Sequence, residues 1–151
     1  MPTAPNRLDA AAEAAERDAL QEVLDAWPDL NSFGFGVFDP VSKAPAQIAA
    51  KVAEGHEEPL APEGVAMFAA ARGWLRQFPK RQAINKSGTS HGLKHVAEDA
   101  VGYVYKGAFI AAAIAGGFKV RHLGPNAFLG VSAKAWAAGR PEAAFTRSPE
   151  P

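Results

Sequence analysis

Cysteine is absent from this chain of 151 residues. Its absence excludes disulfide bonds, thiolate zinc sites and cysteine nucleophiles. A secretory signal typically has a basic segment followed by an apolar segment. The sequence after Met1 has no such pattern. These absences together lead us to expect a cytoplasmic protein.

Long hydrophobic runs are also missing. The most apolar stretch, Ala108–Ala115, ends at Gly116 and Gly117, and it is far shorter than the roughly 20 residues that a helix needs to cross a bilayer. We therefore expect no membrane partner. With 48% hydrophobic residues, the chain is long enough to bury one proper core.

The formal net charge of zero conceals two oppositely charged halves. Residues 1–71 contain four basic and twelve acidic residues, a net charge of −8, whereas residues 72–140 contain eleven basic and two acidic residues, a net charge of +9. Clustered positive charge attracts phosphates and releases their counterions. The pattern predicts a nucleic-acid partner, DNA rather than RNA, with mutual neutralisation of the two halves as the alternative.

The acidic half, residues 1–61, is predicted to contain one helix, one short strand and a loop. Asn6 is the expected N-cap of an amphipathic helix that ends near Trp27. Alternating aromatic residues and glycines over Phe33–Phe38 favour a strand. The proline-rich, acidic stretch 41–62 resembles a linker or surface loop with at most one helical turn, and it marks our expected domain boundary.

Residues 62–136 are predicted to form a basic module, followed by a flexible tail over residues 137–151. A first helix is expected to begin at Pro62 and stop at Pro79, and a polar loop follows over residues 80–89. A second helix, capped by Ser87, Thr89 or Ser90, is broken by Gly102.

The end of this module favours a particular fold. A third helix is expected over Lys106–Ala115, and Gly124-Pro125-Asn126 is a good three-residue hairpin loop between two short strands. Three helices followed by a hairpin predict a mainly helical α+β protein with a winged-helix-like three-helix module and a C-terminal β-hairpin, preceded by the acidic helix and short strand.

The third helix is poorly suited to reading base edges. In a helix-turn-helix protein this helix presents polar or basic side chains to the bases, but here it is mostly alanine, and the alternative is a helix buried in the core. Affinity should therefore come from phosphate contacts, with little base discrimination. The candidate nucleic-acid-binding residues are Lys80, Arg81, Lys86, Lys94, His95, Lys106, Lys119 and Arg121.

His91, His95 and Glu98 have a spacing that places them near one face of a helix, where they could offer metal ligands. The spacing is permissive rather than specific, and no catalytic glutamate stands between the histidines. Ser90 lacks a recognisable orienting group for nucleophilic catalysis. We therefore predict no metal, no cofactor and no enzymatic activity. We also expect the side chains of Lys94 and His95 to point outward from their helix.

Residues 84–131 carry a set of short motifs. They are Ser90-His91-Gly92-Leu93-Lys94-His95 with Glu98, Tyr103-Val104 with Gly107 and Phe109-Ile110, Gly117-Phe118, and Pro125-Asn126-Ala127. In these motifs the chain resembles small uncharacterised proteins encoded by phages and integrated bacterial mobile elements. The resemblance implies a mobile-element context rather than a particular chemistry.

Two functional hypotheses follow from the sequence. The first is a nucleic-acid-binding accessory or regulatory protein of a phage or mobile element. The second is a protein-interaction inhibitor of a host nucleic-acid enzyme, of the anti-restriction or anti-CRISPR type, whose acidic surface imitates phosphate charge. In the second case Glu54, Glu57, Glu58 and the acidic residues of the first helix would bind a host protein.

Overall fold

The computed structural model describes residues 8–35, 45–85, 89–123 and 126–131. Within these ranges the chain is a mainly helical α+β protein with five helices and two small antiparallel sheets. The elements in chain order are α1 (Ala10–Ala26), β1 (Leu30–Asn31), β2 (Gly34–Phe35), α2 (Pro45–Leu60), α3 (Pro62–Leu75), β3 (Lys80–Asn85), α4 (Ser90–Val101), α5 (Lys106–Ala115), β4 (Val120–Leu123) and β5 (Asn126–Val131).

The amphipathic helix predicted near the N-terminus is confirmed as α1. Its N-cap is Asp9, whose carboxylate accepts a hydrogen bond from the Ala12 amide at 2.8 Å, whereas the expected cap, Asn6, lies outside the described residues. The buried side of α1 holds Leu20, Val23 and Leu24, as the helical spacing predicts.

The strand expected over Phe33–Phe38 begins instead within a small hairpin, and residues 36–38 lie outside the described residues. β1 pairs with β2, and the chain turns at Ser32-Phe33 between them. The Asn31 side chain accepts a hydrogen bond from the Phe33 amide at 2.7 Å, which is a common way for asparagine to close a turn. Phe33 therefore lies at the tip of the turn with 77% of its surface exposed.

The prediction of a loop over residues 41–62 is wrong, because most of this stretch forms α2. Pro45 begins the helix, where proline is tolerated, and Pro59 stands one residue before the helix ends at Leu60. The intervening sequence is rich in alanine and other helix-forming residues. The number of prolines was therefore misleading, and their positions decide the structure.

The prediction of a loop over residues 80–89 is also wrong in its first part, which forms β3. This strand is polar in sequence but pairs with β5 at one edge of a three-stranded antiparallel sheet, in the order β3-β5-β4. An edge strand needs only one neighbour and tolerates polar side chains toward solvent. Pairing with β5 therefore outweighs the polar composition.

The predicted C-terminal hairpin is confirmed as β4 and β5. Leu123 pairs with Asn126, so the loop contains two residues rather than the expected three, and those two lie outside the described residues. The serine at the start of α4 ties this hairpin to the helices, because the buried Ser90 hydroxyl accepts a hydrogen bond from the Ala127 amide at 3.0 Å.

Helix α5 is the centre of the core. It packs against α1, α3, α4, both strands of the N-terminal hairpin and β5, and every residue from Gly107 to Ala113 is buried. The alternative prediction, that this alanine-rich helix lies inside the core, is therefore confirmed. Its small side chains allow neighbouring backbones to come close from several sides.

One hydrophobic core contains residues from both charged halves, among them Leu20 and Leu24 of α1 and Phe68, Phe109 and Ile110 of the basic half. The domain boundary at residues 61 and 62 stays a prediction. Among the described residues, no helix is long and apolar enough to span a membrane.

Gly107 provides a test of this packing. A Cβ atom at Gly107 would lie 1.5 Å from the backbone oxygen of Asn31, and the Gly107 amide donates a hydrogen bond to the Ser32 oxygen at 3.1 Å. We expect Gly107→Ala to lower the free energy of unfolding by about 3 kcal/mol because the hairpin must move away.

The matched control is Gly73→Ala in α3, where a Cβ would meet nothing within 4 Å. This change should leave stability unchanged or raise it by up to about 1 kcal/mol. Urea unfolding followed by circular dichroism measures both variants. Equal stabilities of the two would contradict the close approach of the hairpin to α5.

Candidate functional site

The predicted nucleic-acid-binding residues occupy different environments. Lys80, Arg81, Lys119 and Arg121 are exposed on or beside the three-stranded sheet, and we call these four residues the basic sheet patch. His95 is exposed on α4, Lys106 is half-buried at the start of α5, Lys94 is buried, and Lys86 lies outside the described residues. The structure thus brings together half of the predicted set.

The register of the sheet places part of this patch on one face. Alternate residues of β5 face the core, as shown by the burial of Ala127, Leu129 and Val131. Phe128 and its partner Arg121 therefore lie on the opposite face. Lys119 lies on that same face, two residues before Arg121.

Gly130 brings Arg81 and Lys119 close to each other. The Gly130 amide donates a hydrogen bond to the Lys119 oxygen at 2.7 Å. A Cβ at Gly130 would lie 2.5 Å from the backbone oxygen of Arg81 and 3.0 Å from the Cβ of Lys119. A larger residue at this position would force the two cationic residues apart.

Lys80 extends the patch to the end of the sheet. Its side chain crosses the turn after α5, where Gly117 has a φ of +86° and a Cβ would meet the Lys80 Cε at 3.0 Å. The Lys80 Nζ lies 5.6 Å from the centroid of the Phe118 ring, a distance typical of a cation–π contact. Its charge remains accessible to solvent.

In the described part of the chain, the acidic half forms no ion pair with the basic sheet patch. Among the described residues, no member of the patch forms an ion pair, and the one ion pair that joins the two charged halves is Arg72 to Glu16 at 3.1 Å. The two halves therefore share a core without cancelling each other's surface charge at the sheet.

The predicted outward orientation of Lys94 is wrong. Only 5% of Lys94 is exposed, and its Nζ donates to the Glu98 Oε2 at 2.7 Å. It also lies 5.1 Å from the centroid of the Tyr103 ring. The carboxylate one turn away and the aromatic ring offset the cost of burying the charged end, so Lys94 is poorly placed to contact a phosphate.

Glu98 connects this lysine to the turn between α4 and α5. Its Oε2 also accepts a hydrogen bond from the Val104 amide at 3.0 Å. Burial by itself would raise the pKa of Glu98, but the hydrogen bonds from Lys94 and Val104 and the charges of Lys94 and His95 outweigh burial and lower the pKa. Glu98 is therefore a carboxylate at neutral pH.

The other oxygen of Glu98 faces a pair of histidines. His95 Nδ1 lies 3.0 Å from Glu98 Oε1, and His95 Nε2 lies 3.2 Å from His91 Nε2. The pKa of His91 is lowered, first by partial desolvation and then by electrostatic interactions with His95, Lys106 and Lys94. Within the described ranges, no three His, Asp or Glu side chains are arranged to hold a metal ion.

The acidic surface is partly committed to internal contacts. Glu58 of α2 accepts a hydrogen bond from the Ser32 hydroxyl. Burial raises the pKa of Tyr105, and the charges of Glu58 and Glu63 and a hydrogen bond with Glu58 raise it further. Glu58 thus joins α2 to the N-terminal hairpin and to the start of α5, while α1 exposes a stripe of acids at Asp18, Glu22 and Asp25.

Sequence reasoning missed three features of these sites. The sequence suggests Ser90 only as a cap or a nucleophile, and gives no sign that its hydroxyl binds the hairpin. It does not indicate that Gly130 lies between two cationic segments. It also predicts that Phe33 belongs to a strand rather than to a turn. The Asn31-Ser32-Phe33-Gly34 segment does contain a turn signal, because asparagine and glycine favour turns. The other two depend on contacts between distant parts of the chain.

Comparisons of the chain with models of known protein families, with curated proteins and with solved structures give no match.

The buried charge pair gives a stability prediction. We expect Glu98→Gln to lower the free energy of unfolding by about 2 to 4 kcal/mol, because Lys94 would keep a buried charge without a carboxylate. Lys94→Met should cost less, since Glu98 keeps its hydrogen bond from the Val104 amide.

The double variant Lys94→Met/Glu98→Gln completes the thermodynamic cycle. It should be more stable than Glu98→Gln alone, because no buried charge is left unpaired. Urea unfolding at pH 7 measures all four proteins. A double variant that is no more stable than Glu98→Gln would show that the loss arises elsewhere, at the Val104 amide or at His95.

Proposed function

We propose that this protein binds nucleic acid through the phosphate backbone, using the basic sheet patch. The proposal rests on four cationic side chains that are exposed around one small sheet. Among the described residues, none of the four forms an ion pair. Unpaired exposed cations in a cluster bind phosphates by releasing counterions. The affinity for nucleic acid then depends on the number of phosphate contacts and hardly on the base sequence.

The order of the elements supports a winged-helix-like module. From Pro62 onward the chain runs α3, β3, α4, α5, β4, β5, and the sheet order is β3-β5-β4. Four residues, Gly102 to Tyr105, join α4 to α5, which is the length of a helix-turn-helix connection and includes its frequent glycine. We take β4 and β5 as the wing of this module.

We do not expect α5 to contact bases. The helix that would enter a major groove is buried by α1 and the N-terminal hairpin, so its residues have no access to base edges. The wing and the edge strand β3 are the elements that carry accessible positive charge. The expected binding mode is therefore contact with phosphates along a groove edge.

The biological setting rests on the resemblance of residues 84–131 to proteins of phages and integrated bacterial mobile elements. We propose an accessory or regulatory role in such an element, in the cytoplasm, with DNA as the preferred nucleic acid. Little base discrimination fits a factor that assists another protein on DNA.

Fluorescence polarisation with labelled duplex DNA tests the proposal. The full chain should bind at 20 mM salt and release DNA as salt rises, with a slope of log affinity against log salt of about −0.9 for each phosphate contacted. The variant Arg81→Glu/Lys119→Glu/Arg121→Glu should lose at least about tenfold in affinity, because three phosphate contacts become repulsive.

The control reverses three exposed acids of α1, Asp18→Lys/Glu22→Lys/Asp25→Lys. This variant should keep or strengthen DNA binding, because it adds positive charge away from the sheet. Absence of binding by the unmodified protein at 20 mM salt contradicts the proposal. Equal affinity of the sheet variant and the unmodified protein contradicts the location of the site.

A second candidate is a protein-interaction module that acts through its acidic surface. Asp18, Glu22 and Asp25 form an exposed acidic stripe on α1, and Phe33 projects 77% of its surface into solvent. Acidic side chains can imitate phosphates for a host nucleic-acid enzyme, and exposed aromatic residues often anchor interfaces. The two charge-reversal variants separate the candidates, because the second depends on the acids of α1 and on Glu54, Glu57 and Glu58 of α2, and not on the basic sheet patch.

A further inference from the structure

Contrary to the expectation from the sequence, we infer that His91 and His95 form a two-nitrogen binding site for a divalent transition-metal ion, with Glu98 orienting His95. The inference rests on the geometry of α4 and is independent of nucleic-acid binding. Both histidines are exposed, so an ion can reach them from solvent. Imidazole nitrogens are good ligands for Zn²⁺, Ni²⁺ and Cu²⁺.

The distance between the two ring nitrogens suits chelation. A Zn–N bond is about 2.1 Å long, and two such bonds at a tetrahedral angle place the nitrogens about 3.4 Å apart. His91 Nε2 and His95 Nε2 are 3.2 Å apart. The ion can therefore enter between them with a shift of a few tenths of an ångström, and without a change of backbone.

The spacing in sequence explains why the rings converge. Residues four apart on a helix lie one above the other on the same face. The two rings are nearly perpendicular, at 89°, with centroids 4.6 Å apart. Their Nε2 atoms face each other across this short gap, which is the arrangement that a chelating pair needs.

Glu98 prepares His95 as a ligand. When the Nδ1–H of His95 donates a hydrogen bond to Glu98 Oε1, at 3.0 Å, the lone pair of a neutral ring is on Nε2. Metal-binding histidines commonly use a carboxylate in this way to fix the tautomer and the ring orientation. The contact with Glu98 therefore leaves Nε2 of His95 directed toward His91.

The surrounding charges set a limit on affinity. Lys94 is paired with Glu98, but Lys106 acts on His91 as a nearby positive charge and will oppose a cation. Only two protein ligands are present, so a four-coordinate ion keeps two positions for water. The site should accordingly bind metal reversibly, with an affinity below that of a closed structural zinc site.

The other two described histidines provide a control. His56 Nε2 lies 2.8 Å from the Pro28 oxygen, and the His122 ring packs edge-on against Phe35 with centroids 4.2 Å apart. Neither has a second histidine beside it. We therefore use His56→Gln as the control, because glutamine can keep a hydrogen bond to the Pro28 oxygen.

Isothermal titration of the full chain, without a polyhistidine tag, with ZnCl₂ at pH 7.5 tests the inference. One Zn²⁺ should bind per chain, and His91→Ala and His95→Ala should each lower the affinity by at least about tenfold, whereas His56→Gln should not. Mg²⁺, which prefers oxygen ligands, should not bind at this site.

Electron paramagnetic resonance of the Cu²⁺-loaded protein supplies a second readout. The unmodified chain should show two imidazole nitrogens on the ion, and each alanine variant one. Both variants should keep the thermal midpoint of the metal-free protein, because the replaced rings are exposed. The inference is overturned if the unmodified protein binds Zn²⁺ no more tightly than the double alanine variant, in which case the two rings only hydrogen-bond to each other.

Discussion

The burial of α5 determines how the other helices and both sheets are arranged. Its sequence is apolar on every side, so an amphipathic arrangement at the surface is not available to it, and the helix must be surrounded. The alanines between Phe109 and Ala115 let α1, α3 and α4 approach closely. Gly107 continues this close packing to the N-terminal hairpin. The acidic half of the chain is thus needed to cover a helix of the basic half.

This constraint also decides where charge can act. Because α5 is enclosed, the other helices and the sheet form the outside of the molecule. The acidic residues of α1 and the cationic residues of β3 and β4 lie on different elements, and the described ion pairs join the two halves only at Arg72 and Glu16. Opposite charges therefore remain separate on the surface while the apolar residues of both halves mix in the core.

The sequence predicts the elements whose local pattern agrees with their packing. Helices α1, α3, α4 and α5 and the β4–β5 hairpin follow from apolar spacing and from glycine or proline at their ends. It fails where a distant contact decides the outcome. Polar β3 is a strand because β5 pairs with it. Lys94 is buried because its ammonium group forms an ion pair with the Glu98 carboxylate. Of the candidate site, the exposure of Lys80, Arg81, Lys119 and Arg121 was predictable from charge. The close approach of Arg81 and Lys119 at Gly130 required the sheet register.

Glu98 shows how one side chain can serve packing and surface chemistry together. One oxygen binds Lys94 and the Val104 amide, which fixes the turn from α4 to α5, and the other faces His95. A movement of this turn would shift the carboxylate, and His95 would lose the contact that orients it. The geometry of the histidine pair is therefore coupled to the position of α5 in the core, although both rings lie at the surface.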